Sequence, residues 1–588
     1  MALLCIGMFG GVIPRLDPRG LPENNAQEAI NTRLTSGALR PWWQGEEIAQ
    51  LSSSRFRSLF RYEVDGMQHL AAFQRTTLVT KPLLTNDAFG RVYLSDSTGF
   101  YITTKADLRD GKPPVRAGVP QPEFSFFRAR AIGGAAAYTQ SRVYVATLVS
   151  KYGEEGPPRA AELSVGSSEG RWVITGMDPL GFDRADYANV THLRLHRTIT
   201  SSTGVDYRMV EEWPVGAIPP EYTDALKDTE LASRPVLESL LWDPPPAGLR
   251  GVIPIAGGFL AGFVGRTLYF SHPYYPHAWP AHYQLAVDDE IVALGTYGNV
   301  VVITTVGRPA MAVGMDPEGM ALSKSDEAIP CLSAEGLVST ADAVIYPSTR
   351  GLVMVSDGAG FQTLTSSLLT GDEWRVRYAP SRIRAMLYEG RYIGLYSRQQ
   401  GFVLDPSDPV AALTDLQQQG VRAVGQDDID DWPLMLLADG RVVRFDGRYM
   451  HPMTYVWRSK QYLMPKPLNF GAFQLRADFD MLTKVAQPPL PSPAPDPKGV
   501  ALNEPDINES EIMGTPPPVR TGEEVLDAVL VRVFADEELV WEEMVRSEDT
   551  LRLPSGFKAA MYEVEVSGQI PLSSVTLAST AKELERAP

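Results

Sequence analysis

Cysteine is almost missing: Cys5 and Cys331 are the only two among 588 residues. That count excludes a disulfide framework and a multi-thiolate metal centre, and folding in a reducing cytoplasm is the expectation. Basic charge is short as well, with 54 Lys and Arg against 71 Asp and Glu and a net charge of −17. Nothing in the bulk electrostatics draws a phosphate backbone, so a sequence-reading DNA binder is not expected. Long apolar runs are also lacking. The longest, such as VVVITTV from Val300, have strand length and fall well short of the ~20 residues a helix needs to cross a bilayer. No membrane anchor is expected. The opening MALLCIGMFGGVI is apolar but has no basic segment ahead of it and meets Pro14 and Arg15 at once. It reads as a buried strand rather than a signal peptide.

Catalytic signatures are equally sparse. There is no Walker A lysine loop, no G-x-G-x-x-G opening a helix, and no Asp-box of the sialidase type, since SDSTGFYIT from Ser95 has the wrong spacing. GSSEG, 166–170, has the spacing of a hydrolase nucleophile elbow around Ser168, but RWVITG follows as a strand where that chemistry needs a helix. His272, His277 and His282 lie in a proline-broken loop, and His192 and His196 share one face of a strand. Neither group has a carboxylate or cysteine at ligand spacing, so aromatic and prolyl packing is the favoured role. The acidic stretches DDIDDW from Asp427 and DPSDP from Asp405 lack the turn glycine and distal glutamate of a calcium loop. The expectation is a protein with no catalytic residues, no cofactor and no metal.

What is abundant is turn chemistry: 50 glycines and 47 prolines in a chain that is 44% hydrophobic. Short strands joined by tight turns suit that composition, and the length calls for several domains. Between about 250 and 450 five hairpins recur, starting at Gly258, Gly298, Asp342, Gly390 and Trp432, with turn glycines assigned at Gly265, Gly307, Gly351, Gly401 and Gly440. The recurrence, about every 40–50 residues, matches one propeller blade. Hairpins from Met67 and Gly90 would supply a further blade and let an early strand close the ring. A run of unrelated hairpins in a sandwich is the alternative.

The fold class is therefore mainly β: a β-propeller with an inserted fibronectin/Ig-like sandwich and a β-rich platform from the N- and C-terminal regions. The expected divisions are 1–50 (platform and interface segment), 51–119 (first propeller strands), 120–235 (inserted sandwich), 236–458 (propeller) and 459–588 (C-terminal β domain). In the last, 488–518 carries ten prolines and reads as an exposed loop. In LPENNAQEAINTRLTSGALRPWW, 21–43, Asn24 is placed to cap a short helix with Ala26, Ala29 and Ile30 on its buried face, ended by Ser36 and Gly37.

The stretch IPRLDPRGLPENNAQEAINTRLTSGALRPW resembles the N-terminal segment of tail nozzle proteins of short-tailed bacteriophages, the tubular tail protein B family. VYVATLVSKYGEEGPP, LYFSHPYYPHAWP and the terminal EVEVSGQIPLSSVTLASTAKEL are similar to that group in the same order. The resemblance implies a virion structural protein, assembled in the host bacterial cytoplasm and located in the tail. It implies a homo-oligomeric ring, six subunits expected, below a tail adaptor protein, with tail fibres as further partners. Genomic DNA would pass through its lumen without sequence-specific binding. Arg15, Asn24, Asn31, Trp42 and Trp43 become the candidate subunit or adaptor interface. The alternative function is a non-catalytic, glycan-binding surface propeller.

Overall fold

The computed structural model describes residues 3–35, 37–81, 87–134, 139–167, 169–179, 185–201, 204–358, 360–397, 399–408, 413–418, 420–447, 450–479, 498–502, 511–512 and 527–584. The protein is mainly β, and its chain divides into two compact units. One comprises Thr76–Ile303 and Ala310–Lys324; the other comprises Met1–Arg75, Thr304–Pro309 and Ser325–Pro588.

In the first unit, four-stranded antiparallel sheets follow one another. Leu78–Thr80, Arg91–Asp96, Gly99–Thr104 and Val115–Arg116 form one, in chain order. Arg250–Ile255, Phe259–Val264, Thr267–Phe270 and Gln284–Ala286 form the next, and Ile291–Tyr297 to Ala321–Lys324 a third. Alternating apolar side chains make these sheets pack face to face. Tyr93, Phe100 and Ile102 meet Val252, Leu260 and Trp279 in one core, and Phe259, Phe263 and Phe270 meet Leu294, Val301 and Ile303 in another. Between the first two sheets in sequence lies 120–235, where three further sheets gather around Tyr144, Leu148, Trp172, Ile174, Leu193 and Leu195. The long hairpin Val190–Ser201 with Gly204–Pro214 agrees with the strand plan read from THLRLHRTITSSTGVDYRMVEEW.

The second unit has one more four-stranded sheet, over 338–363; similar antiparallel runs over 384–416 and over 421–444, the latter joined by Glu46–Gln50 from the start of the chain, continue into a ten-stranded and an eight-stranded sheet. Here too consecutive sheets pack face to face: Met386, Ile393 and Val403 share a core with Met435, Val443 and Phe445. The N-terminal apolar stretch forms a strand, Leu3–Ile6, paired with Leu572–Ala578. That C-terminal strand also pairs with Ala38–Pro41 and Ala472–Ala477, so both chain ends enter one sheet.

The short helix expected from Asn24 onward is absent. Ala26–Ile30, Thr32–Thr35 and Ala38–Pro41 are strands. The cause is a bulge: Ala26 faces Ser459 and Glu28 faces Arg458, leaving Gln27 as an extra residue. One inserted residue turns the period of two into a spacing of three, so Ala26 and Ala29 both point inward and imitate a helical face. Asn31, at φ 53°, then ends the strand in the left-handed region that asparagine tolerates.

Two more expectations change. Of the five assigned turn glycines, Gly265, Gly351 and Gly440 have positive φ at hairpin turns; Gly307 lies between Val300–Thr305 and Ala310–Val313 without positive φ, and Gly401 opens a buried strand, with Gly390 serving the turn one hairpin earlier. The stretch 488–518 is not all loop, since Lys498–Leu502 pairs parallel with Met67–Phe73; its remainder outside 498–502 and 511–512 lies outside the described residues. The hairpins beginning at Met67 and Gly90 fall in different units.

Candidate functional site: an arginine-lined cleft

Three hairpin ends of the second unit converge on one open cleft. Ser54, Arg55, Phe56 and Arg57 lead into the strand Ser58–Val64, and Gln74 follows its partner Met67–Phe73. Arg57 is tied at its backbone, its N–H donating to the Phe73 carbonyl at 2.7 Å. Ser381 and Arg382 come from the turn Pro380–Arg382, Arg384 opens the strand Arg384–Tyr388, and Tyr396 and Ser397 leave its partner strand. Arg422 sits between Val421 and Ala423, where the pairing with Leu434–Leu437 slips by one residue. A bulge of this kind re-aims a side chain that regular pleating would send elsewhere.

The cleft has two adjoining lobes, of about 450 and 580 Å³, that share Arg57 and Arg422. Five arginines line them and, among the described residues, no carboxylate does. Among the described residues Arg384 alone of the five has an ion pair, with Glu335 at 2.6 Å. The Nε of Arg422 is buried and meets no acceptor. Buried arginines elsewhere in this acidic chain are neutralised: Arg61 donates to Asp427 at 2.6 Å and Asp430 at 3.0 Å, and Arg197 to Asp228 at 2.7 Å; the half-buried Arg458 donates to Glu563 at 2.9 Å. Asp415, which faces Tyr396, is held by Arg377. Burial and that carboxylate push the Tyr396 hydroxyl up to about 12, so it remains a neutral donor at ordinary pH. Chemically, the cleft is a set of forked N–H donors and hydroxyls suited to oxyanions.

The residues singled out from sequence lie elsewhere. Trp42 is 1% exposed, with its indole N–H donating to the Thr32 carbonyl and its ring between Tyr388 and Phe445. Asn31 is buried, donating to the Thr454 carbonyl and accepting from the Gln417 N–H. Trp43 is half-buried and held through its backbone by Asp446. Arg15 and Asn24 are exposed, Arg15 donating to the Ser366 carbonyl. The five are thus not one surface: Trp42 and Asn31 are occupied inside their own chain.

His277 and His196 are buried, and burial pushes both imidazoles down to about 3. His277 packs on Trp242 and Tyr275, 3.9 Å from Glu154, whose carboxylate is held by Arg91 at 2.9 Å. Asp427 of DDIDDW holds Arg61, and Asp405 caps Ser407. Among the described residues no three His, Cys, Asp or Glu gather as a metal site. Ser168 lies outside the described residues, although strands flank it on both sides. The arginine cleft was missed in the sequence because its members are spread over some 370 positions; its local signal is the pair of R-x-R triplets, RFR and RIR, each at the start of a strand.

No protein-family model matches this chain, and no curated protein does. Solved structures similar to it include the computationally designed Ika8 protein, at 12% identity over 68% of this chain and 100% of that one, with a TM-score of 0.28. The Pan2 WD40 domain of Neurospora crassa is 12% identical over 49% and 86% of the two chains, with a TM-score of 0.24, and BBS1N in complex with ARL6DN gives 12%, 49%, 90% and 0.25. At such scores the architecture rests on the sheets themselves.

Proposed function

We propose that the chain is a non-catalytic structural protein of a short-tailed phage, the subunit of a tail nozzle ring through which DNA leaves the capsid. On this reading the successive four-stranded sheets are blades of a propeller. Glu46–Gln50 closes the last blade with a strand from the chain start, and 120–235 is an inserted sandwich.

The observation that carries the reading is where the four resembling segments fall. Two meet in one unit: EEGPP supplies Glu154, which faces His277 of HPYYPHAWP across 3.9 Å. The other two meet in the second unit, where Gln27 donates to Glu563 at 2.7 Å and Ala38–Pro41 pairs with Leu572–Ala578. Glu563 is 1% exposed and also accepts from Arg458 and Gln461. Residues shared with a family by resemblance are thus the joints of each unit, as a scaffold requires, rather than the lining of a catalytic pocket. Electron microscopy of the purified chain, alone and mixed with a tail adaptor ring, tests the reading. Rings of the chain, or its addition to adaptor rings, are expected; a monomer that no adaptor ring recruits would refute it.

A further inference from the structure

We propose that the arginine cleft binds a ligand carrying two or more phosphate groups in succession, one phosphate in each lobe with Arg57 and Arg422 between them. The proposal stands on the cleft alone and does not need the ring reading.

Charge comes first. A chain with an excess of 17 acidic groups has carboxylates to spare, yet four guanidinium groups in this cleft have no ion pair among the described residues. Like charges gathered along one cleft without partners repel one another, and an anion bound among them supplies the missing partner. Composition then narrows the anion. All five cations are Arg, whose planar fork offers two parallel N–H bonds to a tetrahedral oxyanion, and Ser54, Ser381 and Ser397 add hydroxyls. Each lobe lies within the ~300–1,000 Å³ range of small-ligand sites. A single phosphate would satisfy one lobe and leave the other charged. Two phosphates joined in a chain place both shared arginines between adjacent negative groups, and give the buried Nε of Arg422 an acceptor. The bulge at Arg422 and the backbone tie at Arg57 fix where these two side chains leave the main chain, so both start at the junction of the two lobes.

Adjacent phosphates occur in free polyphosphates and along a nucleic-acid backbone, and titration calorimetry at low salt separates the two. Tripolyphosphate is expected to bind at least tenfold more tightly than inorganic phosphate. R57Q and R422Q should each weaken it about tenfold or more, while R350Q, which removes an exposed arginine paired with Glu327 outside the cleft, should leave it unchanged. R382Q, on an exposed turn, gives the same test without touching a core strand. A twelve-nucleotide single strand that binds with the same dependence on Arg57 and Arg382 assigns the nucleic-acid source; tripolyphosphate binding without it assigns the free one. The proposal is overturned by no binding, by equal affinity for phosphate and tripolyphosphate, by indifference to R57Q and R382Q, or by a sulfated oligosaccharide that displaces tripolyphosphate at equal concentration.

Discussion

In the unit that contains 250–303, the sheets over 78–116, 250–286 and 291–324 pair each strand with its neighbour in the chain, and the crossed pairings of 120–235 all stay within that stretch. The other unit builds similar sheets but threads the chain ends through them. Ala26–Ile30 lies between Thr414–Leu416 and Tyr455–Ser459, and Leu572–Ala578 lies between Ala38–Pro41 and Ala472–Ala477. Local pairing needs only a turn, whereas threading needs loop closure over hundreds of residues before any contact is gained. The first unit should therefore tolerate injury to either chain end, and the second should not.

The largest effect follows directly. Ending the chain at Gly568 removes Leu572–Ala578 and leaves three strands without their partner. Hydrogen exchange resolved by peptide should show protection lost across 1–50 and 455–478 and kept across 139–214. Uniform loss in both regions would mean that the two units fold as one.

Next come two of the buried ion pairs, one taken from each unit. Arg61 with Asp427 has side chains 6% and 0% exposed, and Arg197 with Asp224 has both at 0%, 2.8 Å apart. Removing one member strands a buried charge, at about 3–5 kcal/mol. Arg61→Met should lower the denaturation midpoint of the threaded unit, and Arg197→Met that of the locally paired one. Equal response of both regions to either variant would erase the distinction.

Acid should reach the locally paired unit first. His196 and His277 have folded values depressed to about 3 from an ordinary 6.5, so the stability they confer is complete above about 6.5 and is lost as pH falls toward 3. Glu154 and Glu155, which face them, are raised by burial and act in the opposite direction, gaining stability as they protonate. Arg91 and Arg194, the nearby cations, stay charged throughout. The histidines begin to titrate at the higher pH, so the locally paired unit is expected to start losing stability as pH falls below about 6.5. In the threaded unit Asp446 is raised by burial and favours the folded state in acid, whereas Glu373 and Asp439 are lowered and act against it at lower pH. Exchange rates at pH 7 and 4.5 should rise first in 139–214, and His277→Gln should reduce that difference.

Legibility in sequence divides along the same line. The hairpins of 250–450 and the pair 190–214 were readable because alternation and turn glycines lie within a few residues of each other. The bulge at Gln27 was not, because its signature, Ala26 and Ala29 three apart, is also that of a helix; only Ser459 and Arg458, more than 400 residues away, decide between them. Trp42 shows the same limit: two tryptophans in a row look like interface, and the partners that bury the first arrive at 388 and 445. The cleft is harder still, since no part of it is a site until three hairpin ends meet.

The smallest expected effect probes the turns themselves. Gly265, in the locally paired unit, has φ 59°, and a Cβ there would meet nothing within 4 Å. Gly265→Ala therefore costs only the left-handed backbone, about 1 kcal/mol. Gly440 has φ 87°, and its Cβ would meet the Leu51 carbonyl oxygen at 2.5 Å, just past the closing strand Glu46–Gln50. The Gly440 carbonyl accepts the Leu51 N–H at 2.8 Å, so that neighbour cannot retreat without losing the bond. Gly440→Ala then adds a displaced strand end to the same backbone strain and should cost at least 1 kcal/mol more by urea denaturation. Equal costs would show that the end of Glu46–Gln50 gives way freely, and that the last sheet is closed by its own hairpins rather than by the chain start.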